Sequence, residues 1–214
     1  MLIKHIGHAE FLIETESGVR IVTDPYDASC GYPVKKTEAD TVLVSHGHHD
    51  HNAVENLNHV RTVIDRAGTY TPAAGIRVTA LEGYHDDSQG TIRGKTLLFL
   101  IEAEGLRVVH LGDLGCPLTS EQSEKLKNPD ILMIPVGGFY TIGGKTARDV
   151  ADMLHPLVTL PMHYKTKYNA DWPISGPEDF LEGMPEAEIR RDIEALRITT
   201  GDRRCQPRAA LFKA

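Results

Sequence analysis

Cysteine is scarce in this 214-residue chain: only Cys30, Cys116 and Cys205 occur, far apart and odd in number. They make a poor disulfide framework, and without a C-x-x-C pair they make a poor thiolate zinc site. Nowhere does the chain approach the ~20 uninterrupted apolar residues that a membrane helix needs. Met1 to Ile6 holds no long apolar stretch of the kind that marks a secretion signal. A cytoplasmic protein with no membrane partner is expected. Basic residues are in deficit as well: 23 Lys and Arg against 30 Asp and Glu leave a formal net charge of −7. Nucleic-acid binding needs Lys and Arg clustered against phosphates and is disfavoured. The short basic cluster of Arg203, Arg204, Arg208 and Lys213 reads as a solvated C-terminal tail. No linker or low-complexity stretch divides the chain, so residues 1–214 are expected to form a single domain, ordinary for this length.

What the sequence has in excess is histidine. The 41% hydrophobic and 25% charged content is that of a globular protein. Yet there are 11 histidines, and four of them fall between His46 and His51.

Patterning places that cluster. β-rich runs at Met1–Ile6, Glu10–Glu14 and Val19–Thr23 are separated by Gly7 and by the Ser17-Gly18 turn. Thr41 to Val44 is apolar on both faces, as for a strand buried between layers, and it stops at Ser45-His46-Gly47. A short helix is expected over Asn52–Leu57, then strands at Thr62–Ile64 and Ile76–Leu81. Lys95–Ala103 and Leu106–Leu111 read as a hairpin turning at Glu104-Gly105. Thr119-x-x-Gln122 is a capping box opening a helix to Leu126. Ile131–Ile134 and Val158–Leu160 read as buried strands, with a helix over Thr146–Leu154 between them. Two strand-rich halves with helices outside predict an α/β protein, an αββα four-layer sandwich.

The metal-type residues gather at strand ends: His46 to His51, Asp113 and His163 directly after strands, and His85 shortly after one. Loops held by a fixed sheet are where sites are commonly built. Imidazole and carboxylate hold Zn, Mn or Fe in hydrolytic sites. His46 and His48, two apart on an extended turn, project to one side and can share a metal. Asp50 and His51 can reach a second. His49 is expected to point away.

These residues form H-x-H-x-D-H after a buried strand, and the chain here resembles the metallo-β-lactamase superfamily. Gly7-His8-Ala9-Glu10-Phe11 resembles that family's first hairpin, and Thr23-Asp24-Pro25 its early Asp-Pro turn. Val109 to Asp113 and Pro161-Met162-His163-Tyr164 are similar to its later ligand segments. The branch most similar is the small cytoplasmic one that includes ascorbate-phosphate lactonases. The resemblance implies two divalent metal ions, zinc first, with manganese or iron also compatible. One would take His46, His48 and a third histidine, the other Asp50, His51 and His163, with Asp113 bridging. The third histidine is His85 or His110. His85 is preferred for its loop position, because His110 lies within a strand. His8, Asp24 and His110 are then candidates for bracing the ligands from behind.

Such a site acidifies a shared water toward pH 7, and the resulting hydroxide attacks a carbonyl or phosphoryl centre. Asp50 and Asp113 would be the catalytic carboxylates, Asp50 orienting the hydroxide. The net positive site suits a small anionic ester, lactone or phosphodiester. Specificity is assigned to loops 86–94, 137–145 and 164–176, with Gly138, Tyr140, Tyr164 and Lys165 as candidate substrate contacts. A metal-dependent nuclease and a non-catalytic metal-stabilised binding module are the alternatives, and a homo-oligomer is left open.

Overall fold

The computed structural model describes residues 1–201 and 208–213. Two sheets stack face to face, and the strands Thr41–Leu43, Ile131–Pro135 and Val158–Met162 are buried along their whole length. The first sheet is built from β1 (Leu2–Gly7), β2 (Glu10–Glu14), β3 (Arg20–Thr23), β5 (Thr41–Leu43), β7 (Thr62–Ile64) and β15 (Leu196–Arg197). Its order is β15-β1-β2-β3-β5-β7. A two-stranded parallel ribbon, β4 (Thr37–Glu38) and β6 (Leu57–Asn58), lies apart from it. The second sheet contains β8 (Gly68–Ala73), β9 (Ile76–Tyr84), β10 (Lys95–Ala103), β11 (Leu106–His110), β12 (Ile131–Pro135), β13 (Val158–Met162), β14 (Ile189–Ile193) and β16 (Ala209–Phe212). Its order is β14-β16-β13-β12-β11-β10-β9-β8.

Strand β10 shows why the layers form. Its period of two sends Phe99 and Ile101 inward, to meet Phe11, Ile13 and Leu43 of the first sheet. Leu98 and Leu100 face the other way. There they pack with residues of α1 (Ser120–Leu126), α2 (Gly144–Leu154) and α3 (Glu178–Leu181). Helix α1 begins at the expected capping box: Gln122 N–H donates to the Thr119 hydroxyl, and the Gln122 side chain accepts from Thr119 N–H.

The outer layer on the first sheet is thinner than expected. Asn52–Leu57 is not a helix: a 3-10 turn at Val54–Asn56 runs straight into β6. Val22, Val42 and Val44 are covered there by Ala39, Leu57 and Val54. Six residues leave room for one tight turn before β4 captures the chain. The C-terminal reading also needs correcting. Ala209–Phe212 is a buried strand in the second sheet, paired with β13 and β14. Arg208 at its start pairs with Asp152 at 2.6 Å, and Lys213 beyond its end is exposed. Arg203, Arg204 and Cys205 lie outside the described residues. No helix among the described residues is long and apolar enough to cross a membrane.

Candidate metal centre

The parallel strands β3, β5, β11, β12 and β13 all deliver their carboxyl ends to one edge of the sandwich. Crevices at such ends are the usual binding places of α/β sheets. Asp24 follows β3, His46 to His51 follow β5, His85 follows β9, Asp113 lies just beyond β11, and His163 follows β13. Two of these chain exits, at Asp24 (φ 40°) and His163 (φ 51°), are bent into the left-handed region, as is His8 (φ 52°) just after β1. Non-glycine residues there carry strain of ~1–3 kcal/mol each, and such residues gather at functional sites.

Two groups of donors converge. In one, the ligand atoms of His46, His48 and His85 lie within 4.8 Å of one another; in the other, those of His8, Asp50, His51 and His163 do. Asp113 stands between the groups. Its Oδ2 is 3.2 Å from His51 Nε2, 3.3 Å from His85 Nε2, 3.2 Å from His163 Nε2 and 3.9 Å from His46 Nε2. Hydrogen bonding cannot account for this crowd, because His51 Nε2 and Asp113 Oδ1 are buried with no hydrogen-bond partner. Several imidazoles aimed at one carboxylate oxygen, with unpartnered buried atoms among them, form a donor set that fits metal binding.

Electrostatics agree with that fit. Burial holds His46 down to about 3, and burial with the neighbouring His163 holds His8 down to about 4, so both rings are neutral near pH 7. Burial would raise Asp113, but His163 and His51 outweigh it and keep the carboxylate well below its usual range. Burial would also lower His51, but Asp113 and Asp24 overcome it and raise that imidazole well above its ordinary value. Asp50 is likewise held low against its burial by the neighbouring His51 and His8 imidazoles.

The bracing residues are explicit. Asp24 is fully buried and accepts from Ser45 N–H at 2.7 Å, from the Ser45 hydroxyl at 2.7 Å and from His51 Nδ1 at 3.0 Å. The Ser45 hydroxyl also sits 2.9 Å from His46 Nδ1. Asp24 therefore fixes both ends of the loop. His8 Nε2 is 3.3 Å from Asp50 Oδ2, and both its ring nitrogens lack a hydrogen-bond partner. His110 is occupied elsewhere: Nε2 donates to Ala9 O at 3.0 Å, and Nδ1 accepts from Gly112 N–H at 3.1 Å. No lone pair remains for a cation, whereas His85 faces the cluster. Two glycines permit the close approaches. A Cβ on Gly115 would lie 2.3 Å from the His85 carbonyl carbon, and one on Gly137 would lie 2.2 Å from His163 O.

These groups floor a cleft of about 340 Å³. Each loop assigned to specificity places one side chain on it: Arg93, Tyr140 and Trp172. His49 reaches its mouth as well, with Nδ1 2.8 Å from the Ser29 hydroxyl. Of the expected substrate contacts, only Tyr140 lines the cleft. Tyr164 turns the other way, into the core and a second cavity beside Tyr32. The His163 imidazole takes the site side, and the next side chain leaves on the opposite face. Lys165 is exposed and lines neither cavity, and Gly137 rather than Gly138 makes the close backbone approach. Arg93 and Trp172 were missed because nothing in their local spacing marks them. Cys116 is half-buried and stands in neither donor group.

A family model described as the β-lactamase superfamily domain matches residues 2–163. A metal-dependent hydrolase of Archaeoglobus fulgidus is 30% identical over 94% of this chain and 97% of its own length. One of Methanopyrus kandleri is 26% identical over 94% and 98%. Among solved structures, a candidate Zn-dependent hydrolase of the metallo-β-lactamase superfamily from Thermotoga maritima is 37% identical. It covers 99% of this chain and 97% of its own, with a TM-score of 0.76.

Proposed function

We propose that this chain, which belongs to the metallo-β-lactamase superfamily and is a metal-dependent hydrolase, holds two divalent cations, zinc by preference, and cleaves a small anionic ester, lactone or phosphodiester. The observation that carries the reading is the meeting of His51, His85 and His163 on one oxygen of Asp113. His46, His48 and His85 would hold one cation, and Asp50, His51 and His163 the other, with Asp113 between them. Cations there supply an acidified water and a Lewis acid for the substrate oxygen.

The chain's own residues do the remainder. Asp24 accepts from His51 Nδ1, so a cation that displaces the second ring proton would meet the Nε2 lone pair directed at the site. Asp50 is the less buried of the two carboxylates and lines the cleft, so it would orient the attacking water. His8 steadies the same Asp50 oxygen from behind. Two divalent cations against two carboxylates leave the site positive, which favours an anionic substrate.

The size of the cleft favours small molecules over a polynucleotide. Among the described residues that line it, Arg93 is the sole Lys or Arg, too few for a phosphate track. Protein purified without chelator should hydrolyse members of a lactone and aryl phosphodiester panel, lose the activity on metal removal and regain it with zinc. Two bound zinc ions with no turnover across that panel would instead favour a binding module.

A further inference from the structure

The Asp86 carboxylate gathers four backbone N–H groups of its own loop. Oδ1 accepts from Ser88 and Gly90 at 2.9 Å each, and Oδ2 from Ile92 at 3.1 Å and Arg93 at 2.7 Å. His85 N–H closes the loop on Gly94 O at 3.0 Å. A surface loop tied to one carboxylate presents its last side chain from a fixed backbone, and that side chain is Arg93.

The Arg93 guanidinium lies on an aromatic platform, 5.7 Å from the Tyr140 ring centroid and 6.0 Å from that of Phe139. Phe139 is 61% exposed, too open for a packing role in the core. Among the described residues Arg93 forms no ion pair and its guanidinium no hydrogen bond. It is half-buried and lines the cleft shared by Asp50, Asp113 and His163. A guanidinium stacked on rings is oriented while its N–H edge stays available, the disposition suited to bidentate capture of a planar oxyanion. In a chain of net charge −7, this is an isolated positive side chain beside the candidate centre. Trp172 adds an apolar wall against Tyr140, ring centroids 6.0 Å apart.

We propose that Arg93 is the anion-recognition residue of this cleft: it binds a non-reacting carboxylate or phosphate group of the substrate, whose apolar or aromatic body rests against Trp172 and Tyr140. The proposal rests on the hydrolytic reading for the word substrate and on Arg93's own geometry for the binding. It replaces Lys165, which lies outside the cleft.

Trp172 is the chain's single tryptophan, so intrinsic fluorescence reports directly from the cleft. Zinc-loaded wild type, Arg93→Gln and Arg93→Lys are titrated with phenylacetate, phenylphosphonate and neutral phenylacetamide. Arg93→Gln is expected to weaken both anions on the order of 10- to 100-fold, the range of a charge-assisted hydrogen bond. Arg93→Lys should fall between, and phenylacetamide should change less than threefold by the same logic. The anion that loses more identifies the recognised group. Anion affinities within threefold of wild type, or an equal loss for phenylacetamide, overturn the proposal. Zinc content and lactone turnover are read on the same preparations. An unaltered anion affinity beside two bound zinc ions and full turnover removes Arg93's role and leaves the hydrolase standing. An anion defect in a protein without turnover does the reverse.

Discussion

Asp24 and His51 form a sealed pair, Oδ2 to Nδ1 at 3.0 Å with both side chains 0% exposed. The carboxylate decides which ring nitrogen of His51 carries a proton, and so which one can bind a cation. Because the same carboxylate holds Ser45 N–H and its hydroxyl, it links β3 to the start of the histidine loop.

Asp24→Asn tests that pairing with little change of shape, since Asn also tolerates the left-handed backbone at φ 40°. The expected result is zinc affinity lower by about 10- to 100-fold, the usual cost of losing such a bracing carboxylate. Chelator competition measures it. Unchanged affinity would show that His51 orientation does not depend on Asp24.

His85 and His110 should separate cleanly. His85→Ala is expected to lower zinc content and activity with a small effect on thermal unfolding. His110→Ala removes a ring that satisfies Ala9 O and Gly112 N–H in the core. It should cost roughly 2–4 kcal/mol of stability while metal content persists in the protein that folds. Zinc analysis beside calorimetry checks both, and a reversed pattern would assign His110 to the centre.

Much of this centre is legible in the primary structure. His46 to His51, Asp113 and His163 are polar residues ending apolar strands, and that change of character can be read without a fold. The distinction between His85 and His110 is legible for the same reason, loop against strand. Tyr164 and Lys165 mislead because the left-handed turn at His163 redirects the chain beyond it. Arg93 is invisible locally, because its meaning comes from Tyr140 and Phe139, brought beside it only by the fold. Ala209–Phe212 is missed because four small and apolar residues beside basic ones read as a tail. Only the neighbouring β13 and β14 make them a strand.

Glu10 sets a pH dependence of stability. Burial, countered only in part by Tyr26 N–H and reinforced by Asp24, raises its carboxyl to about 8. The folded state keeps Glu10 protonated where the unfolded chain, near 4.5, has already ionised. This contribution is therefore complete below about 4.5, declines as pH rises toward about 8, and is flat above that. Glu10→Gln keeps an acceptor for Tyr26 N–H and removes the decline. Relative to wild type it should gain on the order of 3–5 kcal/mol between pH 5 and pH 9, at about 1.36 kcal/mol per pH unit. Urea unfolding across that range measures it. Parallel curves for the two proteins would mean that Glu10 ionises normally.

The central claim is a pair of cations bridged by Asp113. Zinc analysis of protein saturated with zinc and freed of excess tests it most directly, with Asp113→Asn measured alongside. The account predicts close to two zinc ions per wild-type chain and a clear loss in the variant. A wild-type stoichiometry that stays at one, unaltered by the change at Asp113, would contradict it.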